Sequence, residues 1–127
     1  MKTLFKLMII SILMMLAAPA FAGSIVSVYN CQQSDSASED DVIAAAADWA
    51  KTAKTIKGGE NLEVRVMFPV ASVMDDNDFM FVVILPSFTE YGVFMENFST
   101  RETADEDKKY ADLVNCDDSA LWESFKG

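Results

Sequence analysis

The segment Phe79–Leu85 constrains the fold more than any other part of the chain. All seven of its residues are apolar, and the side chains of a β-strand point alternately to the two faces of its sheet. A strand of this composition therefore has to be covered on both faces, unlike an antiparallel strand with one face in water. We expect helices to cover one face. What covers the other face decides how the protein associates.

A second strand, Leu62–Phe68, precedes this segment in the sequence. Its apolar residues alternate with Glu63 and Arg65, which predicts one buried face and one largely polar face. The loop between the two strands ends in the acidic run Asp75–Asp78. Carboxylate and amide oxygens suit a calcium ion, but the run lacks the alternating ligands and the central glycine of an EF-hand loop. We therefore expect a solvated turn and no metal site.

The first predicted helix precedes Leu62 in the sequence. It starts at Ser36 or Ser38, because each is followed three residues later by an acid in capping-box spacing. Gly58-Gly59 ends it. Its apolar residues recur at helical spacing and form one stripe: Val42, Ala46, Trp49, Ala53 and Ile56.

The second helical region follows Pro86. Ser87 and Glu90 form another capping box, and a break near residues 99–102 precedes a new helix start at Thr103. Gly92 lies inside this region, where glycine costs about 1 kcal/mol relative to alanine. We therefore expect a close contact that favours a small residue at Gly92.

Two further strands complete the element order. Ser24–Tyr29 predicts the first strand, and Ala120–Phe125 predicts the last one after a turn at Asp117-Asp118. The resulting order is β-α-β-β-α(α)-β. With right-handed crossovers it corresponds to a ferredoxin-like α+β fold, an antiparallel sheet ordered 4-1-3-2 with helices on one face. Residues 23–127 are expected to form this single domain.

Residues 1–22 have the pattern of an export signal. Lys2 and Lys6 precede the apolar run Leu7–Ala18, which is too short to span a bilayer as a helix, and Ala20-Phe21-Ala22 is a small-residue cleavage site. We expect Gly23 to be the first mature residue, and the product to be periplasmic or secreted with no membrane attachment. An uncleaved membrane anchor is the alternative.

Cys31 and Cys116 are the only cysteines, and an exported protein with one pair is expected to form a disulfide. Free thiols are the alternative, and a thiolate metal site would need more ligands than the sequence offers. In the predicted sheet, the end of strand one lies beside the start of strand four, where these two residues stand. The bond would close a loop of about 85 residues and stabilise the fold by about 4 kcal/mol.

Composition excludes several classes of function. Residues 1–22 contain two of the ten basic residues and none of the 20 acidic ones, so residues 23–127 carry a net charge of −12. Such a chain lacks the basic surface of nucleic-acid-binding proteins. The sequence contains no histidine, which excludes Ser–His triads, imidazole metal ligands and haem ligation by imidazole.

The chain resembles the dimeric α/β-barrel superfamily, whose ferredoxin-like domains pair sheet to sheet. The resemblance rests on the element order, on the strand Phe79–Leu85 with its two apolar faces, and on the aromatic helix Phe88–Phe98. The resemblance spans the mature chain and implies a homodimer through the sheet face opposite the helices. We assign Met80, Val82 and Ile84 to that face, where exposure to water would forfeit roughly 1.5–3 kcal/mol for each side chain. The alternatives are that the other set of side chains of this strand faces away from the helices, or that a long loop or the chain ends cover the face. Members of the superfamily include small monooxygenases and haem-degrading enzymes, with a pocket between sheet and helices.

Several aromatic residues are candidates for lining such a pocket. The ligand-binding candidates are Tyr29, Trp49, Tyr91 and Trp122, with Phe94 beside them, although aromatic residues on helix stripes and strand faces also serve as core. Trp49 is expected to be such a core residue. Polar groups inside the pocket would come from Tyr29, Tyr91, Glu90 or Glu123. No catalytic residue is identified.

Two classes of function follow. The first is an exported acidic domain that self-associates and binds a small hydrophobic molecule. The second is a cofactor-independent, monooxygenase-like enzyme of the α/β-barrel type that acts on a small hydrophobic molecule. No cofactor is predicted in either case. A deep pocket with a desolvated carboxylate or tyrosine favours the enzyme.

Overall fold

A computed structural model describes residues 23–71, 78–101 and 105–126. The described strands are β1 (Ser24–Gln33), β2 (Glu63–Met67), β3 (Asp78–Leu85) and β4 (Val114–Ser124), and the helices are α1 (Glu39–Ala53), α2 (Phe88–Thr100) and α3 (Asp105–Leu113). The proposed signal peptide, most of the acidic run Asp75–Asp78 and the helix start at Thr103 lie outside the described residues.

The four strands form one antiparallel sheet in the order β2-β3-β1-β4. This is the predicted order read from the other edge, and the ferredoxin-like α+β fold is therefore confirmed. The three described helices lie on the same face of the sheet, where the buried core joins alternate residues of β3 to residues of α1 and α2. None of the helices in the described ranges is long and apolar enough to cross a membrane.

Helix starts follow the sequence closely. The cap of α1 is Ser38 and not Ser36: the Asp41 backbone N–H donates to Ser38 Oγ at 3.2 Å, and the Ser38 backbone N–H donates to Asp41 Oδ2 at 2.9 Å. The Ser87 hydroxyl likewise accepts from the backbone N–H of Glu90 at 3.2 Å. The expectation for Gly92 was wrong, since a Cβ there would meet nothing within 4 Å.

β4 is longer than predicted and includes Asp117-Asp118, where a turn was expected. The register places Asn30 opposite Asp118 but Cys31 opposite Cys116, so that Asp117 is an extra residue at a β-bulge. Asp117-Asp118 therefore continues the strand and does not reverse the chain. The two adjacent aspartates, which favour a turn, lie at this bulge. The Asn115 side-chain amide donates a hydrogen bond to Asp117 Oδ1 there, at 2.8 Å.

The predicted disulfide is present. Cys31 and Cys116 are bonded with their Cα atoms 4.0 Å apart, on directly paired positions of β1 and β4. The bond joins the edge strand to the centre of the sheet at the end where α3 passes into β4.

The two faces of β3 are both apolar, as predicted. Phe79, Phe81, Val83 and Leu85 belong to the core beneath the helices, so Met80, Val82 and Ile84 point to the open face, as assigned. The expectation that Met80, Val82 and Ile84 would all be exposed to water in a single chain was wrong. Val82 is buried within its own chain, and Met80 and Ile84 are half-buried, because residues of β1 and β2 flank them on the same face.

Candidate ligand-binding site

A cavity of about 240 Å³ lies between the sheet and the helices. Its floor comes from β1, β3 and β4, and its roof comes from all three helices. Seven of its twelve lining residues are aromatic. The complete lining is Ser27, Tyr29, Trp49, Phe81, Val83, Leu85, Tyr91, Phe94, Met95, Phe98, Tyr110 and Cys116.

The floor follows from the strand register. Ser27 pairs with Val83 and Tyr29 pairs with Phe81, and all four side chains face the helices because paired residues point to the same side of an antiparallel sheet. Ser27 is the smallest of the four and is buried. A small polar residue at the centre of an apolar floor leaves room above it, which is where the cavity forms.

Phe81 is the aromatic residue around which the site is built. The Trp49 ring meets it edge to face at a centroid distance of 5.3 Å, Tyr110 lies at 5.0 Å and Tyr29 at 6.2 Å. These contacts come from α1, α3 and β1, so three separate elements converge on one side chain of β3. Such aromatic contacts have defined geometry and stiffen the wall of a cavity.

The phenol groups are the polar features of the wall. Burial raises the pKa of the Tyr29 hydroxyl and the neighbouring Tyr91 raises it further, while a hydrogen bond with Ser27 lowers it by a smaller amount. Burial also raises the pKa of Tyr110, whose hydroxyl is buried without a hydrogen bond to any described residue. Both phenols with raised pKa stay neutral near pH 7, so they are hydrogen-bonding groups and not bases.

The structure brings three of the four predicted ligand-binding residues together: Tyr29, Trp49 and Tyr91 all line the cavity. Trp122 does not line it. Its side chain is 61% exposed and shares the open face with Val26, its partner in β1. Trp49 is half-buried and packs against the core as well, so it belongs to both the core and the cavity wall.

Neither of the predicted pocket carboxylates lines the cavity. Glu90 accepts hydrogen bonds from Asn61 Nδ2 at 3.0 Å and from Ser87 Oγ at 3.1 Å, so it serves the start of α2. Glu123 is exposed on β4. Within the described ranges, no three His, Cys, Asp or Glu side chains are grouped so that they could hold a metal ion.

Sequence reasoning missed Ser27 and Tyr110 as site residues. Tyr110 follows the predicted helix start at Thr103, but nothing in its spacing shows that its ring reaches Phe81 on the sheet. Ser27 interrupts the β-branched run Ile25–Val28, and a lone small polar residue on the helix-facing side of that run is the signal that could have located the cavity.

No family model and no curated protein matches this chain. The fold is similar to the crystal structure of SnoaB, a cofactor-independent oxygenase from Streptomyces nogalater, with a TM-score of 0.55 and 10% sequence identity, covering 84% of this chain and 97% of that one. At this identity the similarity establishes the fold alone. It confirms the predicted resemblance at the level of the fold.

Proposed function

We propose that this protein binds a small apolar molecule in the cavity between its sheet and its helices. The observation that carries the proposal is the aromatic wall around Phe81, which encloses about 240 Å³. An engineered apolar cavity of about 150 Å³ in another protein takes up benzene. The larger volume here suits a body of about two fused rings.

Polar groups support binding in a defined orientation. Apolar ligand pockets combine hydrophobic walls with a few placed polar groups, and here these are Ser27, Tyr29 and Tyr91. The buried hydroxyl of Tyr110 has no partner among the described residues, and such a group costs about 1–3 kcal/mol. A ligand whose polar atom reached this hydroxyl would remove that cost.

Equilibrium dialysis with naphthalene tests the proposal. We expect saturable binding at one site per chain for the wild type. Ser27→Leu fills the floor of the cavity and should abolish binding. Ile84→Leu, which changes a half-buried residue on the opposite face, should leave binding unchanged. Circular dichroism confirms that both variants are folded. Absence of saturable binding to the wild type would refute the proposal.

The second candidate is a cofactor-independent oxygenase-type enzyme, which the fold shared with SnoaB favours. Abstraction of a proton from a substrate would need a base in the cavity, but no carboxylate of the described residues lines it and its Tyr29 and Tyr110 phenols have raised pKa values. We therefore expect no oxygen uptake with 1,4-dihydroxynaphthalene above the uncatalysed rate. Catalysed uptake that Tyr29→Phe removes would favour the enzyme instead.

We also propose that two chains pair through the sheet face opposite the helices. On this face the register forms two apolar rows across β3, β1 and β4: Ile84, Val26 and Trp122 in one row, and Val82, Val28 and Ala120 in the next. Trp122 is 61% exposed, and Met67 at the β2 edge is 45% exposed. A large exposed apolar patch typically marks an interaction site, and a two-fold partner covers both copies at once.

The domain is proposed to act outside the cytoplasm, after removal of residues 1–22. The basic and apolar segments and the Ala20-Phe21-Ala22 site support this, and the Cys31–Cys116 bond is of the kind that persists in oxidising compartments. Intact-mass spectrometry of the protein from its natural host should give the mass of residues 23–127 with no alkylatable thiol. A mass that includes residues 1–22 would contradict the proposal.

A further inference from the structure

The ligand cavity opens to solvent between α2 and β4. Of its twelve lining residues, Met95 and Cys116 are exposed, and the other ten are buried or half-buried. Met95 belongs to α2 and Cys116 belongs to β4. Because a cavity opens where its lining side chains reach solvent, a ligand that is longer than the cavity would leave it between these two elements.

The flank of α2 that borders this opening is apolar. Gly58 lies against the opposite flank, since a Cβ there would come within 2.9 Å of the Glu90 carbonyl oxygen, and Gly58 precedes β2, the strand at the sheet edge farthest from β4. Phe88 and Met95 are about two helical turns apart and lie about 160° and 140° round the helix axis from Glu90. They therefore form the flank toward β4, where both side chains are exposed.

Leu121 of β4 continues the apolar floor of the cavity toward the edge of the sheet. It pairs with Ser27 of the floor, and paired residues point to the same side of an antiparallel sheet. Leu121 nevertheless remains 48% exposed, although it lies on the side of the sheet that carries the helices. Its side chain is thus an apolar surface beside the cavity that the described part of the chain leaves largely open.

The apolar surface outside the opening, here called the exit strip, consists of Phe88, Met95 and Leu121. On β4 it is one residue wide, because Ser119 and Glu123 are the neighbours of Leu121 on the same side of the strand. A stable protein interface buries about 800 Å² on each partner, which is far more than one such strip supplies. A hydrocarbon chain needs only a narrow apolar surface, so the strip fits a part of a small molecule.

We propose that the natural ligand is a ring system of about two rings with a hydrocarbon chain, in which the rings lie in the cavity and the chain leaves between Met95 and Leu121 to cover the exit strip. This inference rests on the proposed binding function and specifies its ligand class. The chain adds affinity because it removes its own methylene groups and the exposed surface of Leu121 from water together.

Equilibrium dialysis with naphthalene and 1-butylnaphthalene tests the inference. We expect the wild type to bind 1-butylnaphthalene at one site per chain and at least about tenfold tighter than naphthalene, a difference of about 1.4 kcal/mol. Leu121→Ser removes the apolar surface under the chain and should lower this ratio at least about threefold, with the affinity for naphthalene unchanged. Leu121 is exposed, so this variant is expected to fold, and circular dichroism checks that it does.

Ile43→Ser is the matched control. Ile43 is 49% exposed, nearly as much as Leu121, but it lies on α1 and does not line the cavity. It should keep the wild-type ratio, which separates an effect of the exit strip from a general loss of surface hydrophobicity.

Three results would overturn the inference while the proposed function stands. Naphthalene binds but 1-butylnaphthalene binds less than tenfold tighter, or Leu121→Ser leaves the ratio at the wild-type value or changes it as Ile43→Ser does. In the third, Leu121→Ser sediments with half the mass of the wild type, so that a second copy covers the exit strip. If naphthalene itself does not bind to the wild type, both proposals fall.

Discussion

The two faces of β3 carry equally apolar side chains but meet different surroundings. Phe79 and Phe81 lie under the helices and are 0% and 6% exposed, whereas Met80 and Ile84 on the opposite face are only half-buried and are not covered by any of the three described helices. The helix layer of one chain covers one face of its sheet. The helix-facing side of β3 is therefore covered by its own chain, whereas Met80 and Ile84 on the other side stay partly accessible, which supports the proposed pairing of two chains.

The largest expected difference between the two faces concerns stability. Phe79→Ala should lower the free energy of unfolding by about 3–5 kcal/mol, because the side chain is fully buried and leaves a cavity. Met80→Ala, the adjacent residue on the other face, should cost about 1 kcal/mol, because part of its surface is already in water. Urea unfolding of dilute protein, followed by circular dichroism, gives both values. Equal losses would mean that the two faces are covered alike within one chain.

The next largest loss of unfolding free energy is expected on removal of the disulfide. Residues 115–124 of β4 are all exposed and only Val114 is buried, so the strand depends on its pairing with β1 and on the bond to Cys31. The double variant Cys31→Ala/Cys116→Ala should lose about 2–5 kcal/mol of unfolding free energy. The reduced wild type serves as the control, since it lacks the bond without a change in sequence. If both forms unfold at the same urea concentration as the oxidised protein, β4 is held by other contacts.

The smallest expected effect tests the exposed side of α2. Gly92→Ala should stabilise the protein by about 1 kcal/mol, because the added methyl group meets open space and alanine favours the helix. Gly58→Ala is the contrasting variant. Gly58 has a φ of +89°, and its Cβ would lie 2.5 Å from the Phe94 backbone nitrogen, so the substitution should destabilise the protein. A destabilised Gly92→Ala would show that α2 has a neighbour at this point.

Most of the fold could be predicted from the periodicity of the apolar residues and from the right-handedness of the crossover connections. The alternation in Leu62–Phe68 and the stripe through Val42 and Trp49 placed strand and helix faces correctly, and the element order with right-handed crossovers predicted the sheet order. The disulfide, inferred separately from the cysteine pair, agreed with that order. The errors arose where local propensity competes with pairing. Asp117-Asp118 has turn chemistry, but ten paired positions with β1 outweigh it and leave a bulge.

The site was harder to predict than the fold. Tyr29, Trp49 and Tyr91 line the cavity as expected, but a cavity is a gap in packing, and its existence depends on the shapes of side chains from six elements. Trp122 illustrates the limit. It alternates with Leu121 on β4, and only the register with Val26 determines that its ring points to the open face and away from the cavity.

Sedimentation equilibrium tests the claim that a second copy covers the open face. We predict that residues 23–127 sediment with twice the mass of one chain. Trp122→Glu should give the mass of one folded chain, because it places a charge in the apolar row on the open face. Leu121→Glu, at a 48% exposed position on the helix-facing side of the same strand, should remain a dimer. A wild type with the mass of a single chain at its highest soluble concentration would contradict the account.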